Sequence, residues 1–568
     1  MSCDKLVFDL SQEIEGSPNI FVKKDWLNIL DNQNGNYSAN QSVVDTSQLS
    51  NSNKYLNYRE AYLSVPMIMA LSTTTAVAWQ TDGTTSAENS MGLKNWFGSI
   101  IHSFTLDYNG TTIIQQTPFC NMWNSFKLMT TLSWNDIVVS GSTIGFYPDD
   151  PLSFSYSSAA GLSGQGVFNN SNFENTNDGF AVSAGFNKYN SGSNNIGFRS
   201  RQTYINYNPS GVPQGSGSTY GALFLNANGA TANYKSYISS KVTGTGAIIG
   251  SIVFSIRATI YLKHLHSFFN MVPLLKGVYM KMTMNLNNST TNISVVTGAS
   301  ITFVSSSVPV GGVLPFMISS AAASNGNATL PTATYIASLS VGNVVLDATQ
   351  RTNVQATGPL GPNIFLYVPA YTFNPVFEQA YLSSPIKTIN YTDIYQYQVL
   401  NIATGTAFNN LLTNGLANIK SVLILPFFTN GAIANSPPFQ SPFDPAGCGP
   451  TSPLCLLSNF NVVVSGQNAI YNTQRYSFEE FNNQLYGANA VNGGMTDGLN
   501  SGLFNQLGFE MEYCYHYVNV SRCLPVEESV PKSVQIIGTN TSLQTINLWC
   551  FVEYGVSVSI DILTGARV

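Results

Sequence analysis

The sequence predicts an all-β protein made of two tandem domains of the sandwich or jelly-roll class. Short runs of strand-forming residues alternate with turn residues along most of the chain, and helical patterns are brief. Three segments of the first half have counterparts in the second half, in the same order. The length of 568 residues fits two large β domains, because such domains often run to about 250 residues.

The composition indicates a subunit of an assembly. Charged residues make up 9% of the chain, far below the roughly 25% that is typical of soluble domains. A surface poor in charges resembles the inside of a protein interface. The net charge of −6, without a basic run, gives no footprint for specific nucleic-acid binding.

Neither a targeting signal nor a transmembrane segment is expected. The start, MSCDKLVFDLSQEIEG, lacks a basic region and an apolar core, and no apolar run reaches the ~18 residues of a membrane helix. Seven cysteines without a CxxC pair predict mostly reduced, buried thiols and assembly in the cytosol or nucleus. A Cys448–Cys455 disulfide remains open.

The N-terminal residues 1–54 are predicted to form an arm. They are polar and weakly patterned, so we expect them to order only against a partner. Strand signals begin at Tyr55, and Ala61–Pro66 is a weaker version of Phe365–Pro369. We interpret this similarity as the first sign of a duplication.

The second sign is a pair of hairpins, each followed by a helix. Phe104–Ile114 turns at Asn109-Gly110, the favoured dipeptide of a type I′ turn, and Phe460–Tyr471 turns around Ser465-Gly466. The helix after the first hairpin carries an apolar stripe at three- and four-residue steps, formed by Phe119, Met122, Trp123, Phe126 and Met129.

The third sign pairs Ile252–Asn287 with Phe509–Asn540. Each runs as a strand, a short irregular or helical piece, a proline, a lysine and a second strand. The first copy carries an insertion over 141–246, rich in Ser, Gly, Asn and Tyr, which predicts surface loops. We place the first domain at 55–310 and the second at 311–568.

The stretch Asn363–Asp393 predicts a strand, a short helix and a second strand. Apolar residues alternate onto both faces of the first strand, which indicates burial on both sides. Asn374-Pro375 starts the helix, and the second strand covers Ile386–Tyr397. With Ala61–Pro66 as its counterpart, the first strand is expected early in the second domain.

The four histidines of the chain are the first candidates for metal ligands or catalytic residues. His264 and His266 would share a strand face as half of a metal site, but the glutamate that follows HxH in a cupin is missing. His102 and His516 are interpreted as isolated, hydrogen-bonded residues. Met280, Met282 and Met284 alternate on one strand face and predict core.

Glu510 and Glu512 are the candidate catalytic carboxylates. On one strand face they would lie about 6.5 to 9.5 Å apart, as in inverting glycosidases. Beside Tyr513, Tyr515 and Tyr517 they fit an exposed face or an interface equally well. The acidic pairs Asp149-Asp150, Glu479-Glu480 and Glu527-Glu528 are interpreted as solvated, and no nucleophile, phosphate-loop or zinc motif occurs. We therefore predict no catalytic, cofactor or metal residues.

The paired segments together resemble double jelly-roll major capsid proteins of virophages and polinton-like viruses. The resemblance is carried by LYVPAYTFNPVFEQAYLSSPIKTINYTDIYQY at 366–397, LKHLHSFFNMVPLLKGVYMKMTMNLN at 262–287, NFNVVVSGQNAIYNTQRYSFEEF from 459, FEMEYCYHYVNVSR from 509 and PKSVQIIGTNTS from 531. It covers about a third of the chain and most of its second half.

This resemblance implies two tandem eight-stranded jelly rolls with short helices and long loop insertions. It further implies a non-enzymatic homotrimer that forms a pseudo-hexameric capsomer of an icosahedral shell around double-stranded DNA. Its partners would be neighbouring capsomers, penton and minor capsid proteins in the virion, assembled in the host cytoplasm or nucleus. The alternatives are a carbohydrate- or receptor-binding fibre or spike and a β-sandwich glycosidase.

Overall fold

In the computed structural model of the chain, antiparallel strands alternate with a few short helices. The structure describes residues 19–49, 54–73, 88–115, 117–149, 155–157, 167–169, 197, 201–204, 223–224, 237–238, 251–276, 279–296, 300–309, 312–321, 333–342, 363–429, 438–442, 445–452, 455–470, 475–492, 503–520, 529–542, 544–562 and 566–568.

Strands dominate both halves. Those of the first half are β1 (Phe21–Leu30), β2 (Gln41–Asp45), β3 (Tyr55–Leu56), β4 (Tyr62–Thr73), β5 (Glu88–Leu93), β6 (Ile101–Tyr108), β7 (Thr111–Ile114), β8 (Ser155–Ser157), β9 (Val167–Asn169), β10 (Gln202–Tyr204), β11 (Leu223–Phe224), β12 (Tyr237–Ile238), β13 (Ser251–Tyr261), β14 (Leu275–Lys276), β15 (Met280–Leu286), β16 (Ser289–Val296), β17 (Ser300–Ser307), β18 (Phe316–Ala321), β19 (Ala333–Val341) and β20 (Phe365–Phe373). Those of the second half are β21 (Ile386–Ile402), β22 (Ala407–Leu416), β23 (Ile419–Phe428), β24 (Leu457–Val464), β25 (Gln467–Asn468), β26 (His516–Asn519), β27 (Lys532–Asn540) and β28 (Ile546–Asp561).

The helices lie mainly in the connections between strands. They are α1 (Cys120–Thr131), α2 (Trp134–Ile144), α3 (Leu262–Leu265), α4 (Phe268–Met271), α5 (Pro375–Leu382), α6 (Phe478–Asn492) and α7 (Gln506–Met511), with 3-10 turns at Ser47–Leu49 and Phe97–Ile100.

The second half forms one eight-stranded jelly roll. We label its strands B to I in chain order, from β21 to β28. One sheet has the order β21-β28-β23-β26, which is B-I-D-G, and the other has the order β22-β27-β24-β25, which is C-H-E-F. Val552 of strand I and Ile536 of strand H are among the fully buried residues that fill its core.

The first half repeats this strand order. Its strands B to I are β1, β2, β4, β6, β7, β13, β15 and β20. Strand β20 pairs with β1 and β4, and β4 pairs with β13, which gives B-I-D-G. The other sheet is β2-β15-β6-β7, which is C-H-E-F. The prediction of two tandem jelly rolls is confirmed.

The strand that begins at Phe365 belongs to the first jelly roll, which corrects its predicted place in the second domain. Strand β20 closes the first jelly roll and does not open the second, because Leu366 pairs with Leu63 and Tyr367 with Tyr62 of β4. The similar stretches Ala61–Pro66 and Phe365–Pro369 are therefore neighbours in one sheet and not copies. Both belong to inner strands of this sheet, which explains why both are rich in apolar and aromatic residues.

The local structure around this strand follows the sequence signals in most respects. Ile364, Leu366 and Val368 are fully buried, whereas Phe365 and Tyr367 on the other face are only half-buried. The expected burial on both sides is thus wrong for the second face. Helix α5 starts as predicted, with the Asn374 side chain accepting a hydrogen bond from the Val376 amide and proline at its first position.

Strand pairing breaks between the two halves later than expected. Strands β19 and β20 lie beyond residue 310 and pair with β4 of the first jelly roll, whereas β21 and the strands after it pair only with one another in the described part of the chain. The sequence signals near 310 mark the H–I connection, where β16, β17 and β19 extend the first sheet. We propose a domain boundary within 374–385.

The N-terminal segment is part of the first jelly roll, which corrects the predicted arm. Strand β1 pairs along its length with β20, and β2 pairs with β15. Ile29 and Val44 are fully buried in the core. The charged residues Lys23, Lys24 and Asp25 interrupt the apolar pattern of β1, and β2 has only five residues, so the sequence pattern of this segment is weak. Residues 1–18 lie outside the described part.

The second and third paired segments correspond in the two jelly rolls. Both hairpins connect strands E and F, and their turn residues have positive φ: 45° and 80° at Asn109 and Gly110, 48° and 83° at Ser465 and Gly466. Strands β13 and β15 match β26 and β27 as G and H. The exception is Gln506–Met511, which is helical where a strand was predicted from Phe509.

Most of the 141–246 insertion lies outside the described residues. Several of its described residues are buried instead of lying in a surface loop, among them Phe146, Asp149 and Arg201. The Arg201 guanidinium lies 2.6 Å from the Asp149 carboxylate and donates to the Leu93 carbonyl oxygen over 2.8 Å. This ion pair also corrects the interpretation of Asp149 as solvated, because both side chains are completely buried.

Candidate functional surfaces

The two adjacent histidines do not form half of a metal site. His264 and His266 flank the end of α3 and not a strand, and they have different neighbours. Burial lowers the pKa of His264 to about 4, and its ring packs edge-on against Tyr261 and Trp96. Among the described residues, no three His, Cys, Asp or Glu side chains are grouped so that they could hold a metal ion.

The other histidines are buried among aromatic rings. His102 packs edge-on against Phe119, with ring centroids 4.9 Å apart, and burial lowers its pKa to about 4. Its Nδ1 has no hydrogen-bond partner in the described part of the chain, which differs from the expectation. For His516 the expected hydrogen bond is present, because its Nδ1 donates to the Cys514 carbonyl oxygen over 3.0 Å.

Glu510 and Glu512 do not face each other across a site. Glu510 lies on α7 and is 3.6 Å from Arg475 Nη2, whereas Glu512 follows the helix and is fully buried. Two residues that are two positions apart at the end of a helix point in different directions, so the spacing derived for a strand does not apply. The glycosidase alternative therefore loses its geometric basis.

A cavity of about 160 Å³ lies beside these residues in the second jelly roll. Its lining includes Cys455, Phe509, Cys514 and His516, with Arg475 among the other residues around it. Burial lowers the pKa of His516 to about 4, so its ring is neutral near pH 7. Arg475 and Glu510, which form an ion pair, are the charged residues of the lining.

The cysteines of the described residues are buried thiols, and none of them forms a disulfide. They are Cys120, Cys448, Cys455, Cys514 and Cys550. Cys448 and Cys455 form no disulfide: the Cys448 thiol lies 3.7 Å from the Leu314 carbonyl oxygen, and burial raises its pKa to about 11. The three methionines of strand H are completely buried, as predicted. No helix in the described part is long and apolar enough to span a membrane.

Helix α1 joins the two jelly rolls. It lies in the F–G connection of the first jelly roll and packs on the outer face of the second B-I-D-G sheet. Phe119 contacts Trp549, Trp123 contacts Phe551 and Lys127 contacts Glu553 in order along β28, with ring centroids 5.7 and 6.2 Å apart and a 3.6 Å ion pair.

The spacing of these pairs has a geometric cause. Four residues of a helix rise about 6 Å, and two residues of a strand advance about 6.6 Å. Residues four apart on α1 therefore meet residues two apart on β28. Beside this row, the fully buried Phe126 packs on Tyr515 and Tyr517, with centroids 5.4 and 5.5 Å away.

The ion pair of this joint is nearly enclosed. The Glu553 side chain is 8% exposed and that of Lys127 31%. Burial acts to raise the pKa of Glu553, but the Lys127 charge and a hydrogen bond from Ser421 Oγ outweigh it, and the pKa is lowered. Glu553 is therefore ionised at neutral pH and needs its partners.

Polar contacts complete the joint on its other side. His266 Nε2 is 3.3 Å from the Asp393 carboxylate of β21, while His266 Nδ1 accepts from the Phe268 amide. Nε2 therefore carries a proton and donates to Asp393. Ser267 Oγ donates to the Thr392 carbonyl oxygen over 2.6 Å, and the Tyr391 hydroxyl donates to the carbonyl oxygen of Ile113.

The equivalent outer face of the first B-I-D-G sheet is covered differently. Its side chains, which we call the aromatic face, are Lys24, Trp26, Leu30, Tyr62, Arg257, Tyr261, Phe365 and Tyr367. Helix α5 covers the far end of this sheet, where Tyr55 donates to Glu378, but no helix of the described part covers the centre. Trp26 is 50% exposed and Leu30 36%, whereas Trp549 and Phe551 are 6% and 0% exposed.

Aromatic contacts organise this face into a row across strands. Tyr367 of β20 stacks on Tyr62 of β4 with centroids 5.0 Å apart, and Tyr62 contacts both Trp26 and Tyr261 at 5.8 Å. The Arg257 guanidinium lies over the Phe365 ring at 5.1 Å. Sequence inspection missed this surface because its members come from four distant strands. The sequence signal that could have revealed it is the pair of aromatic residues, Phe365 and Tyr367, on the second face of the strand Phe365–Pro369.

The strand order of both halves defines the class of protein: the chain is a double jelly-roll protein. No family model matches the sequence, and no curated protein matches it either. Among solved structures it is similar to a chain of the Sputnik virophage cryo-EM structure, with 11% identity, a TM-score of 0.49 and coverage of 96% of this chain and 88% of that chain.

Two major capsid proteins show the same kind of similarity. The mavirus major capsid protein has 10% identity and a TM-score of 0.45, with 98% of this chain and 92% of that chain covered. The Faustovirus major capsid protein has 10% identity and a TM-score of 0.40, with coverage of 98% and 94%. The assignment of fold rests on the strand order of this chain itself.

Proposed function

We propose that this protein is the major capsid protein of an icosahedral double-stranded DNA virus. Three chains would form a capsomer with six jelly rolls in a ring, and capsomers would tile the shell. The observation that carries this proposal is the presence of two jelly rolls with the same strand order, held side by side by α1.

The geometry of a ring supports the proposal. Three chains with two similar domains each present six similar sides, so a trimer can occupy hexagonal positions of a lattice. The paired sheets leave few free edges, which limits unwanted strand addition. Charged residues at 9% of the chain fit large subunit contacts with little repulsion between like charges.

The remaining partners and the location follow from this role. The protein would reside in the virion, contact neighbouring capsomers, pentons and minor capsid proteins, and assemble in the host cytoplasm or nucleus. It would act as a structural protein without catalysis, a cofactor or sequence-specific nucleic-acid binding.

Negative-stain electron microscopy of the expressed protein tests the proposal. We expect hexagonal particles with six lobes, and closed shells or hexagonal sheets at high protein concentration. Elongated fibres together with thermal stabilisation by sugars would favour the receptor-binding alternative and would contradict the capsid proposal.

A further inference from the structure

We infer that the aromatic face of the first jelly roll is the seat of a second copy of this chain, which covers it with α6 and α7 of its second jelly roll. The inference rests on the proposed function. It adds which surfaces meet between subunits and in which direction.

The first step is the contact inside the chain. Helix α1 belongs to the F–G connection of the first jelly roll and covers the outer B-I-D-G face of the second. Under this cover, Leu423 and Leu425 of strand D are 0% and 1% exposed although they point out of the jelly roll. The outer B-I-D-G face of the second jelly roll is thus an apolar surface that the F–G connection of another jelly roll covers.

The second step is the equivalence of the two jelly rolls. Helices α6 and α7 lie in the F–G connection of the second jelly roll, where α1 lies in the first. Among the described residues, the contact between unlike surfaces within the chain leaves two surfaces without such a contact: the aromatic face and the F–G side with α6 and α7. Repeating such a heterologous contact between chains closes a ring when the rotation permits.

The third step is the chemistry of the two unused surfaces. The aromatic face holds Trp26 and Leu30 half-exposed beside Lys24, whose ammonium forms an exposed ion pair with Glu60. On the other side, Leu507 of α7 is 45% exposed, and the first turn of α6 carries Glu479 and Glu480. An exposed aromatic centre with basic neighbours therefore matches an acidic helix start with an exposed leucine.

Electrostatics also gives the contact a direction. Within the chain the helix supplies the base, Lys127, and the sheet supplies the acid, Glu553. Between chains the helices would supply the acids, Glu479 and Glu480, and the sheet would supply two cations. These are Arg257, which lies over Phe365, and Lys24, which would be shared with Glu60 of its own chain. The inversion disfavours wrong pairings, such as α1 of one chain on the aromatic face of another, because these would bring like charges together.

The test compares interface variants with a matched control in light scattering across a dilution series. Trp26→Glu and Leu30→Glu each place a charge on the aromatic face, and Val304→Glu places one at a 56% exposed position on β17. We expect each interface variant to raise the concentration of half-dissociation about 30-fold or more, with unchanged circular dichroism and thermal midpoint. The control should behave as wild type.

Photo-cross-linking gives the identity of the partner surface. With p-benzoylphenylalanine at position 26, we expect a cross-link between chains to peptides of α6 or α7. A trimer that survives both interface variants, or a cross-link from position 26 to the same face of another chain, would overturn this inference and leave the capsid proposal standing. A wild-type protein that stays monomeric at all concentrations would overturn both.

Discussion

Lys127 and Glu553 form an ion pair across the joint between the jelly rolls. Their side chains come from different jelly rolls, and Ser421 also donates to Glu553. A carboxylate that is 8% exposed is destabilising once its cation is removed, because the buried charge is left without compensation.

The first prediction concerns this pair. Lys127→Met should lower the free energy of unfolding by about 2 kcal/mol, measured by chemical denaturation at pH 7. The double variant Lys127→Met with Glu553→Gln should regain most of the loss, since it removes both charges. Equal losses in the single and double variants would mean that Lys127 acts through packing alone.

The second prediction is the pH dependence of the same pair. The folded pKa of Glu553 is lower than its ordinary value of 4.5. Its contribution to stability is therefore fully present above about pH 4.5 and is lost as the pH falls through the folded pKa. Between pH 5 and pH 3 the wild type should lose stability more steeply than Glu553→Gln. Parallel curves in denaturant titrations at each pH would contradict the assignment.

Residue-level signals predicted the turns but not the joint. The dipeptides Asn109-Gly110 and Ser465-Gly466 identified hairpins, because positive φ at both turn positions restricts the residue choice. Glu553 gave no such signal, since its partner is 426 positions away in sequence and lies in another domain. The predicted pairing of Glu510 and Glu512 on one face was wrong, because the distance between their carboxylates depends on whether the segment is a strand or a helix.

At the scale of elements, α1 is the joint between the domains. Its residues Cys120 to Phe126 are all buried, which a surface helix with one apolar stripe would not be. The sequence showed the apolar stripe but gave no means of seeing that a second domain covers the opposite side. Only the contacts with Trp549 and Phe551 show that α1 is covered on both sides and is not a surface helix.

The third prediction tests α1. Phe126→Ala should lower the free energy of unfolding by about 3 to 5 kcal/mol, because it leaves a cavity between α1 and two tyrosines of the second jelly roll. Val138→Ala on α2, where the side chain is 83% exposed, should change it by less than about 0.5 kcal/mol. Similar small effects in both variants would show that α1 does not tie the jelly rolls together.

The fourth prediction concerns the N-terminal strands. Deleting residues 1–49 removes strands B and C of the first jelly roll, with the buried Ile29 and Val44, and should prevent soluble folding as judged by circular dichroism and hydrodynamic radius. As single-residue probes on β1, Ile29→Ala should cost about 2 to 5 kcal/mol, and Val22→Ala, at a 68% exposed position, almost nothing. A folded deletion variant would restore the interpretation of this segment as an arm.

For the whole molecule, the sequence predicted the fold class and missed the limits of the domains. The hairpins and the paired G and H strands identified two similar jelly rolls. Strand I of the first, Phe365–Phe373, was placed in the second because it resembles strand D, its own neighbour in the sheet. Strand pairing over some 300 residues leaves no local trace in sequence, so the boundary near residue 310 was placed too early.

The assembly state is the property of the whole molecule on which the capsid proposal depends. The mass of the purified native protein, determined by light scattering, tests it most directly. We predict a mass of three chains at micromolar concentration, unchanged over a tenfold dilution. A mass of one or two chains under every condition of salt and pH in which the protein is folded would contradict the capsid role.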